Sequence, residues 1–200
     1  MTLNSVVLMA GYSKRMGKLK QHVVLNGKSF LTHIIEKLNF FNSKISTKIF
    51  VGQESDRIGE KQVKDSGGLW VVNPNPEEGP LSSIRLAIEK AQPDSAIMIW
   101  PTDHPLIEKE TVDLLIKAWE KEPDFITLPS DGNHRGHPAI FPHWCFDYFK
   151  TIELEKGAKA LLQMFPDKIK YVLTKDIWIT RNINTPELLE EANASLIKNI

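Results

Sequence analysis

The chain has 200 residues, and 25 Lys plus Arg balance 25 Asp plus Glu for a formal net charge of zero. That balance argues against a general nucleic-acid binder, which carries a basic excess. Hydrophobic residues at 42% and charged residues at 25% exclude a wholly disordered chain.

Cys145 is alone, so no disulfide framework is expected, and the setting this implies is the reducing cytoplasm. No stretch approaches the ~20 apolar residues that cross a bilayer. The N-terminal apolar run, Val6 to Ala10, is short, and the positive charges follow it, unlike a signal peptide. Neither membrane nor nucleic acid is therefore an expected partner. The length predicts one domain over residues 1–200, with an elaborated C-terminal part.

In chain order, Ser5 to Ala10 reads as a strand buried on both faces, ending at Gly11. A polar, basic loop follows to about Lys28. Phe30, Leu31, Ile34, Ile35 and Leu38 then mark a helical face, with Ser29 as its N-cap. Lys48 to Val51 and Leu69 to Val72 read as strands around a charged helix. Leu81 to Ala91 reads as a helix, Ser95 to Trp100 as a buried strand, Glu108 to Glu120 as a helix and Phe125 to Leu128 as a strand. This alternation implies a mostly parallel sheet wrapped by helices with right-handed crossovers. Beyond it, the pattern predicts a polar loop at Ser130 to Arg135, then a strand at His137 to Phe141 that is antiparallel if it pairs back. It also predicts a helix at Gly157 to Phe165 and strands at Ile169 to Leu173 and Ile177 to Thr180. Pro186 to Ile197 reads as a closing helix capped by Thr185.

The neutral total hides a basic N-terminal quarter. Up to Lys48 there are eight basic residues and one acid, Glu36, with the densest run from Lys14 to Lys20. A basic loop on a neutral protein suits a small anionic ligand better than a polyanion. Gly11 lets the strand turn, and such a loop can aim amide N–H groups at phosphate, with Arg15 and Lys20 adding charge. Taken alone, it fits an ordinary solvated surface loop equally well. It is not a Walker loop, because five residues separate Gly11 from Gly17 and Leu19 stands in the hydroxyl position.

Asp103 lies just past a buried strand, at the edge where open α/β sheets bind ligands. A carboxylate beside a triphosphate suits Mg²⁺, which takes one or two carboxylates plus phosphate oxygens; in isolation, Asp103 reads as a turn cap. Glu78 to Ser83 opens a helix, and its serines read as caps. Arg135-Gly136-His137-Pro138 fits either a turn or a site for an anionic or heteroaromatic group. The six histidines contain no H-x-x-x-H pair, so zinc is not expected.

Together these segments resemble the MobA-like nucleotidyltransferases, the family of the molybdenum cofactor cytidylyl- and guanylyltransferases. The family opening L-A-A-G-x-S-x-R-M-G-x-x-K is matched at Leu8, Ala10, Gly11, Ser13, Arg15, Met16, Gly17 and Lys20, with Met9 replacing an alanine. Gly79 to Ser83 resembles the central G-x-x-x-S segment. Asp103-His104-Pro105 resembles the metal-binding D-x-P. Arg135 to Pro138 matches the R-G-H-P of the cytidylyl branch. Asn182 to Glu187 is similar to the closing D-I-D-T-P-E, with both acids replaced by amides.

The resemblance implies a three-layer α/β/α Rossmann-like nucleotidyltransferase fold. It implies Mg²⁺-dependent transfer of CMP from CTP to the terminal phosphate of molybdopterin, with pyrophosphate leaving. Arg15, Lys20 and Asp103 would be catalytic. Leu8, Ala10, Gly11, Ser13, Lys20, Gly79 and Ser82 would contact the nucleotide, Asp103 and Asn182 the metal, and Arg135 and His137 the acceptor. The product would pass to a molybdoenzyme or its chaperone. A methyl at Ala10 narrows the base site relative to glycine and favours a pyrimidine. The Asn pair is closer to the guanylyl branch, so use of GTP, or of another acceptor such as a sugar phosphate, is the alternative. A non-catalytic nucleotide-binding module is the third reading.

Overall fold

The computed structural model describes residues 1–197. It opens on β1 (Leu3–Leu8), whose apolar run is buried on both faces. The basic loop predicted after it contains two 3-10 turns and a small hairpin, β2 (Val24–Leu25) with β3 (Lys28–Ser29). Asn26 and Gly27 turn that hairpin with positive φ, the conformation such a two-residue turn requires.

Helix α1 (Phe30–Phe40) begins at Ser29, whose side chain accepts from the Thr32 N–H as an N-cap. Strand β4 (Ile45–Gly52), helix α2 (Arg57–Asp65) and strand β5 (Leu69–Val72) follow. Helix α3 (Pro80–Ile88) leads to β6 (Ala96–Pro101), then to α4 (Lys109–Lys121) and β7 (Ile126–Ser130). The C-terminal part adds β8 (Ala139–Phe141), α5 (Cys145–Thr151), α6 (Lys159–Met164), β9 (Ile169–Leu173) and α7 (Pro186–Ile197).

Seven strands form one sheet in the order β5-β4-β1-β6-β8-β7-β9. Every pairing is parallel except those of β8, which runs against both β6 and β7. Alternation along the strands gives the sheet two apolar faces. One packs on α1, α2 and α4 through residues such as Leu31, Leu38, Val63 and Trp119. The other packs on α3, α5 and α6 through Leu81, Ile84, Phe149 and Leu161. This is the expected three-layer α/β/α architecture. A third cluster seats α7 on the hairpin, with Ala192 against Val23, Leu25 and Phe30.

Two local expectations are corrected, and one helix is added. Ile177 to Thr180 is not a strand: Ile177–Ile179 is a 3-10 turn, because the Asp176 carboxylate accepts from the Trp178 N–H and curls the chain. The first strand ends at Leu8, two residues early: the Met9 N–H still donates to the Val51 carbonyl at 2.9 Å, but the chain then leaves the sheet for the bend at Gly11. The added helix is α5, with Cys145, Phe146 and Phe149 as its buried face. The predicted cap of α7 is present, with Thr185 accepting from the Leu188 N–H at 3.4 Å. No described helix is long and apolar enough to cross a membrane.

Candidate active site

The chain leaves β1 toward β4 on one side and leaves β6 toward β7 on the other, although β1 and β6 are neighbours. That divergence opens a crevice at their carboxyl ends, the place where α/β sheets take ligands. The basic loop and Asp103 both fall there.

The loop is shaped by its own bonds. Gln53 donates to the Ala10 carbonyl at 2.9 Å and pins the turn to the end of β4. Apart from its chain neighbours, no protein atom lies within 4 Å of where a Gly11 Cβ would stand, so its bare backbone faces open space. Ser13 adopts left-handed φ, and its Oγ accepts from the Lys20 N–H at 3.0 Å, folding the loop back on itself. Beyond Lys20, Gln21 and His22 meet the buried Asp56 carboxylate at 2.6 and 2.7 Å. Asp56 also caps α2 by accepting from the Gly59 N–H at 2.9 Å. A Cβ at Gly59 would stand 2.5 Å from that carboxylate, so the cap requires glycine.

Asp103 is fixed from three sides. The Thr102 N–H donates to the Leu8 carbonyl at 3.1 Å, and the Ile183 N–H donates to the Asp103 carbonyl at 2.8 Å. Lys37 reaches through the packing to the Pro105 carbonyl at 2.8 Å. Burial pulls the Lys37 ammonium down to about 8. The result of both constructions is an ion pair: Lys20 Nζ meets Asp103 Oδ2 at 2.8 Å, with the side chains only 17% and 18% exposed.

The remaining walls come from two other segments. Asn73, after β5, donates to Ser82 Oγ at 2.9 Å and to Ser83 Oγ at 2.8 Å. Gly79 then turns with φ 87°, which favours glycine, and starts α3. On the far side, the Gly136 N–H donates to Pro129 and the His137 N–H to Ile179, each at 2.9 Å. A Gly136 Cβ would stand 2.4 Å from the Ile179 carbonyl oxygen. Burial and the neighbouring His104 ring, 4.9 Å away, push the His137 imidazole down to about 4. It is therefore neutral at pH 7, and its Nδ1 has no partner among the described atoms.

These segments enclose a cavity of about 690 Å³. Leu8, Ala10, Gly11, Ser13, Lys20, Gly79, Asp103, Arg135 and His137 all line it. Three predicted residues do not. Ser82 is buried and donates back to the Gly79 carbonyl at 2.8 Å, so Ser83, one position on, faces the cavity in its place. Arg15 is exposed on a 3-10 turn outside the cavity. Asn182 is exposed beside the Asp103 backbone and also lies outside it. Sequence reasoning missed Lys159 and the apolar floor of Ile84, Ile99, Leu128 and Phe141. Those floor positions were legible only as core, since nothing local distinguishes a covered face from an open one.

Among the described residues, no three His, Cys, Asp or Glu side chains gather into a metal-binding group. Asp103 is the one carboxylate among the described lining residues. A single carboxylate suits Mg²⁺ held mainly through phosphate oxygens.

The mostly parallel sheet between helix layers is the fold of the nucleotidyltransferase class of α/β proteins. A profile of the MobA-like NTP transferase domain matches residues 5–170. The chain belongs to that family. It is 26% identical to a molybdenum cofactor guanylyltransferase of Histophilus somni, over 95% of each chain. It is 24% identical to the molybdenum cofactor cytidylyltransferase of Escherichia coli, over 72% of this chain and 71% of that one. The crystal structure of Rv0371c from Mycobacterium tuberculosis superposes with a TM-score of 0.81 at 18% identity, covering 97% of this chain and 98% of that one. The same protein has also been solved in complex with manganese.

Proposed function

We propose that this chain transfers CMP from CTP to the terminal phosphate of molybdopterin, with Mg²⁺, in the cytoplasm. The observation that carries the reading is the Lys20–Asp103 pair facing a glycine loop in a cavity whose opposite wall bears Arg135 and His137.

An oxygen of the acceptor phosphate attacks the α-phosphorus of the nucleotide. The bond from that phosphorus to the bridging oxygen breaks, and pyrophosphate leaves with the electron pair. The protein supplies positioning and charge, with no covalent intermediate. Backbone around Gly11 receives the triphosphate, and Lys20 neutralises charge growing on pyrophosphate. Arg135 holds the acceptor phosphate, and the neutral His137 ring orients it by hydrogen bonding without adding charge. Asp103 would hold Mg²⁺, which supplies Lewis-acid charge neutralisation on the phosphates. Asn182, exposed beside the Asp103 backbone, would complete the shell of such a metal through its amide oxygen. The product dinucleotide would pass to a molybdoenzyme or its chaperone.

CTP is favoured by the placement of Ala10, Arg135 and His137 on one cavity. A second reading, GTP, is supported by the guanylyltransferase name of the Histophilus somni relative and its wider coverage. Pyrophosphate release from equal CTP and GTP, with molybdopterin and Mg²⁺, tests the choice. Preferential use of GTP would replace the cytidylyl assignment. Nucleotide binding without turnover would support the non-catalytic module.

A further inference from the structure

The lining of the cleft continues past Arg135. That residue also borders a second, shallow cavity of about 570 Å³, open to solvent and lined by Ser130, Asn133, His134, Tyr171 and Leu173, all of them exposed except Ser130. Ser130 ends β7, Leu173 ends β9, and the two are register partners. The second cavity thus lies on the same carboxyl edge of the sheet as the first.

It also lies on the same face. Ile99 pairs with Ala139, and Leu128 pairs with Tyr171. Thr127 pairs with Ile140 in the antiparallel ladder, which sets Leu128 beside Ala139. Paired residues on neighbouring strands point to one side of a sheet. Ile99, Ala139 and Leu128 line the first cavity and Tyr171 the second. One row of side chains therefore runs from the floor of the cleft to Tyr171 without changing face.

The turn between the cavities is built in advance. Asp131 Oδ1 accepts from the Asn133 and His134 N–H groups at 2.8 and 2.7 Å. Ser130 Oγ accepts from the Gly132 N–H at 3.1 Å and donates to the His134 carbonyl at 2.8 Å. A turn bonded to itself needs little ordering when a ligand arrives. Tyr171, meanwhile, is 49% exposed and has no aromatic neighbour in stacking range among the described residues. A second chain adding along this edge is disfavoured by Lys170, which pairs with Glu122 there at 2.5 Å.

We propose that this second cavity is a distal acceptor subsite that takes a flat, hydrogen-bonding heteroaromatic ring. The ring stacks on Tyr171 and meets Asn133 and His134 at its edge, and Arg135 lies between the ring and the phosphate. The inference rests on the nucleotidyl-transfer reading for the direction in which the acceptor runs. Ring stacking on a tyrosine face is the favourable use of an exposed aromatic beside polar edges.

The test is calorimetric titration of a pterin phosphomonoester into full-length protein loaded with Mg²⁺ and a non-hydrolysable analogue of the preferred nucleotide. Tyr171→Ala should weaken binding about tenfold, the scale of losing one base-stacking platform, and Tyr171→Phe should restore it. A sugar phosphate without an aromatic ring should bind both variants alike. In turnover, Tyr171→Ala should raise the acceptor KM while leaving kcat and the nucleotide KM unchanged. Equal pterin phosphate affinity in the wild type and Tyr171→Ala, or no binding at all, overturns the subsite. Turnover of molybdopterin untouched by Tyr171→Ala removes the subsite and keeps the transfer reading. Tyr171-dependent binding without pyrophosphate release keeps the subsite and removes the transfer reading.

Discussion

The half of the cleft over β1 and β6 is held by compensated charge, whereas the half over β8 and β7 is apolar at its floor and polar at its rim. In the first half, Lys20 is already paired with Asp103, although Thr102 Oγ1 on the same lining is buried without a partner among the described atoms. In the second, the His137 Nδ1 is buried without a partner among the described atoms, and Arg135 has no ion pair among the described residues. Buried polar groups are ordinarily satisfied. The difference teaches that a charged ligand entering the first half must exchange an existing ion pair, while one entering the second meets an Arg135 guanidinium with no carboxylate to displace.

Asp103→Ala attacks the compensated half most directly. Metal-dependent turnover should fall roughly 10³-fold, the upper range for losing a group that organises transition-state charge. The melting temperature should stay near wild type, because Asp103 supports its loop through backbone bonds. Near-normal turnover with unchanged metal dependence would remove Asp103 from the metal site.

Lys20→Ala should slow turnover roughly 10²-fold. It should also strengthen Mn²⁺ binding in the absence of nucleotide, since the Asp103 carboxylate loses its 2.8 Å partner. Titration of Mn²⁺ followed by its spin-resonance signal reads this directly. A change in apparent nucleotide affinity alone, with kcat intact, would make Lys20 a uniform binder.

The uncompensated half is probed by Gly136→Ala. The new Cβ meets the Ile179 carbonyl oxygen at 2.4 Å, and backbone cannot yield as a side-chain tip does. A stability loss of about 1–3 kcal/mol is expected from such overpacking, read as the denaturation midpoint. The acceptor KM should rise while nucleotide affinity holds. Unchanged stability would mean that this turn relaxes freely.

The smallest effect is one of pH. His137 titrates near 6.5 in the unfolded chain and near 4 in the folded one. Between those values the unfolded state holds a proton that the folded state lacks, so stability is full above about pH 6.5 and declines as pH falls toward 4. The His104 imidazole, also pushed down chiefly by burial, adds in the same direction. Denaturation of His137→Gln across this window should show a shallower decline than wild type. An identical slope would locate the dependence in other groups.

Periodicity sufficed for β1, α1, β4, β6 and α4, because a strand buried on both faces and an amphipathic helix write their environment into local spacing. Composition and the order of those elements gave the parallel sheet. The resemblance of the opening motif and of Arg135 to Pro138 located the loops that meet at the cleft. Side-chain direction was decided elsewhere. Ser82 and Ser83 are equivalent in sequence and Asn73 bonds both, yet at the start of α3 Ser82 turns back to the Gly79 carbonyl and Ser83 lines the cavity. Arg15 and Lys20 are equally basic, yet the fold-back through Ser13 brings Lys20 alone of the two to Asp103. The run Ile177 to Ile179 has strand composition, but the buried Asp176 claims the Trp178 N–H that a ladder would need. Local sequence determined which segments are strands, helices and ligand-facing loops, because propensity and burial period act over a few residues. Tertiary structure decided which side chains meet in the cleft, because that depends on how separate loops are brought together, as when Lys20 reaches Asp103, 83 positions away in the chain.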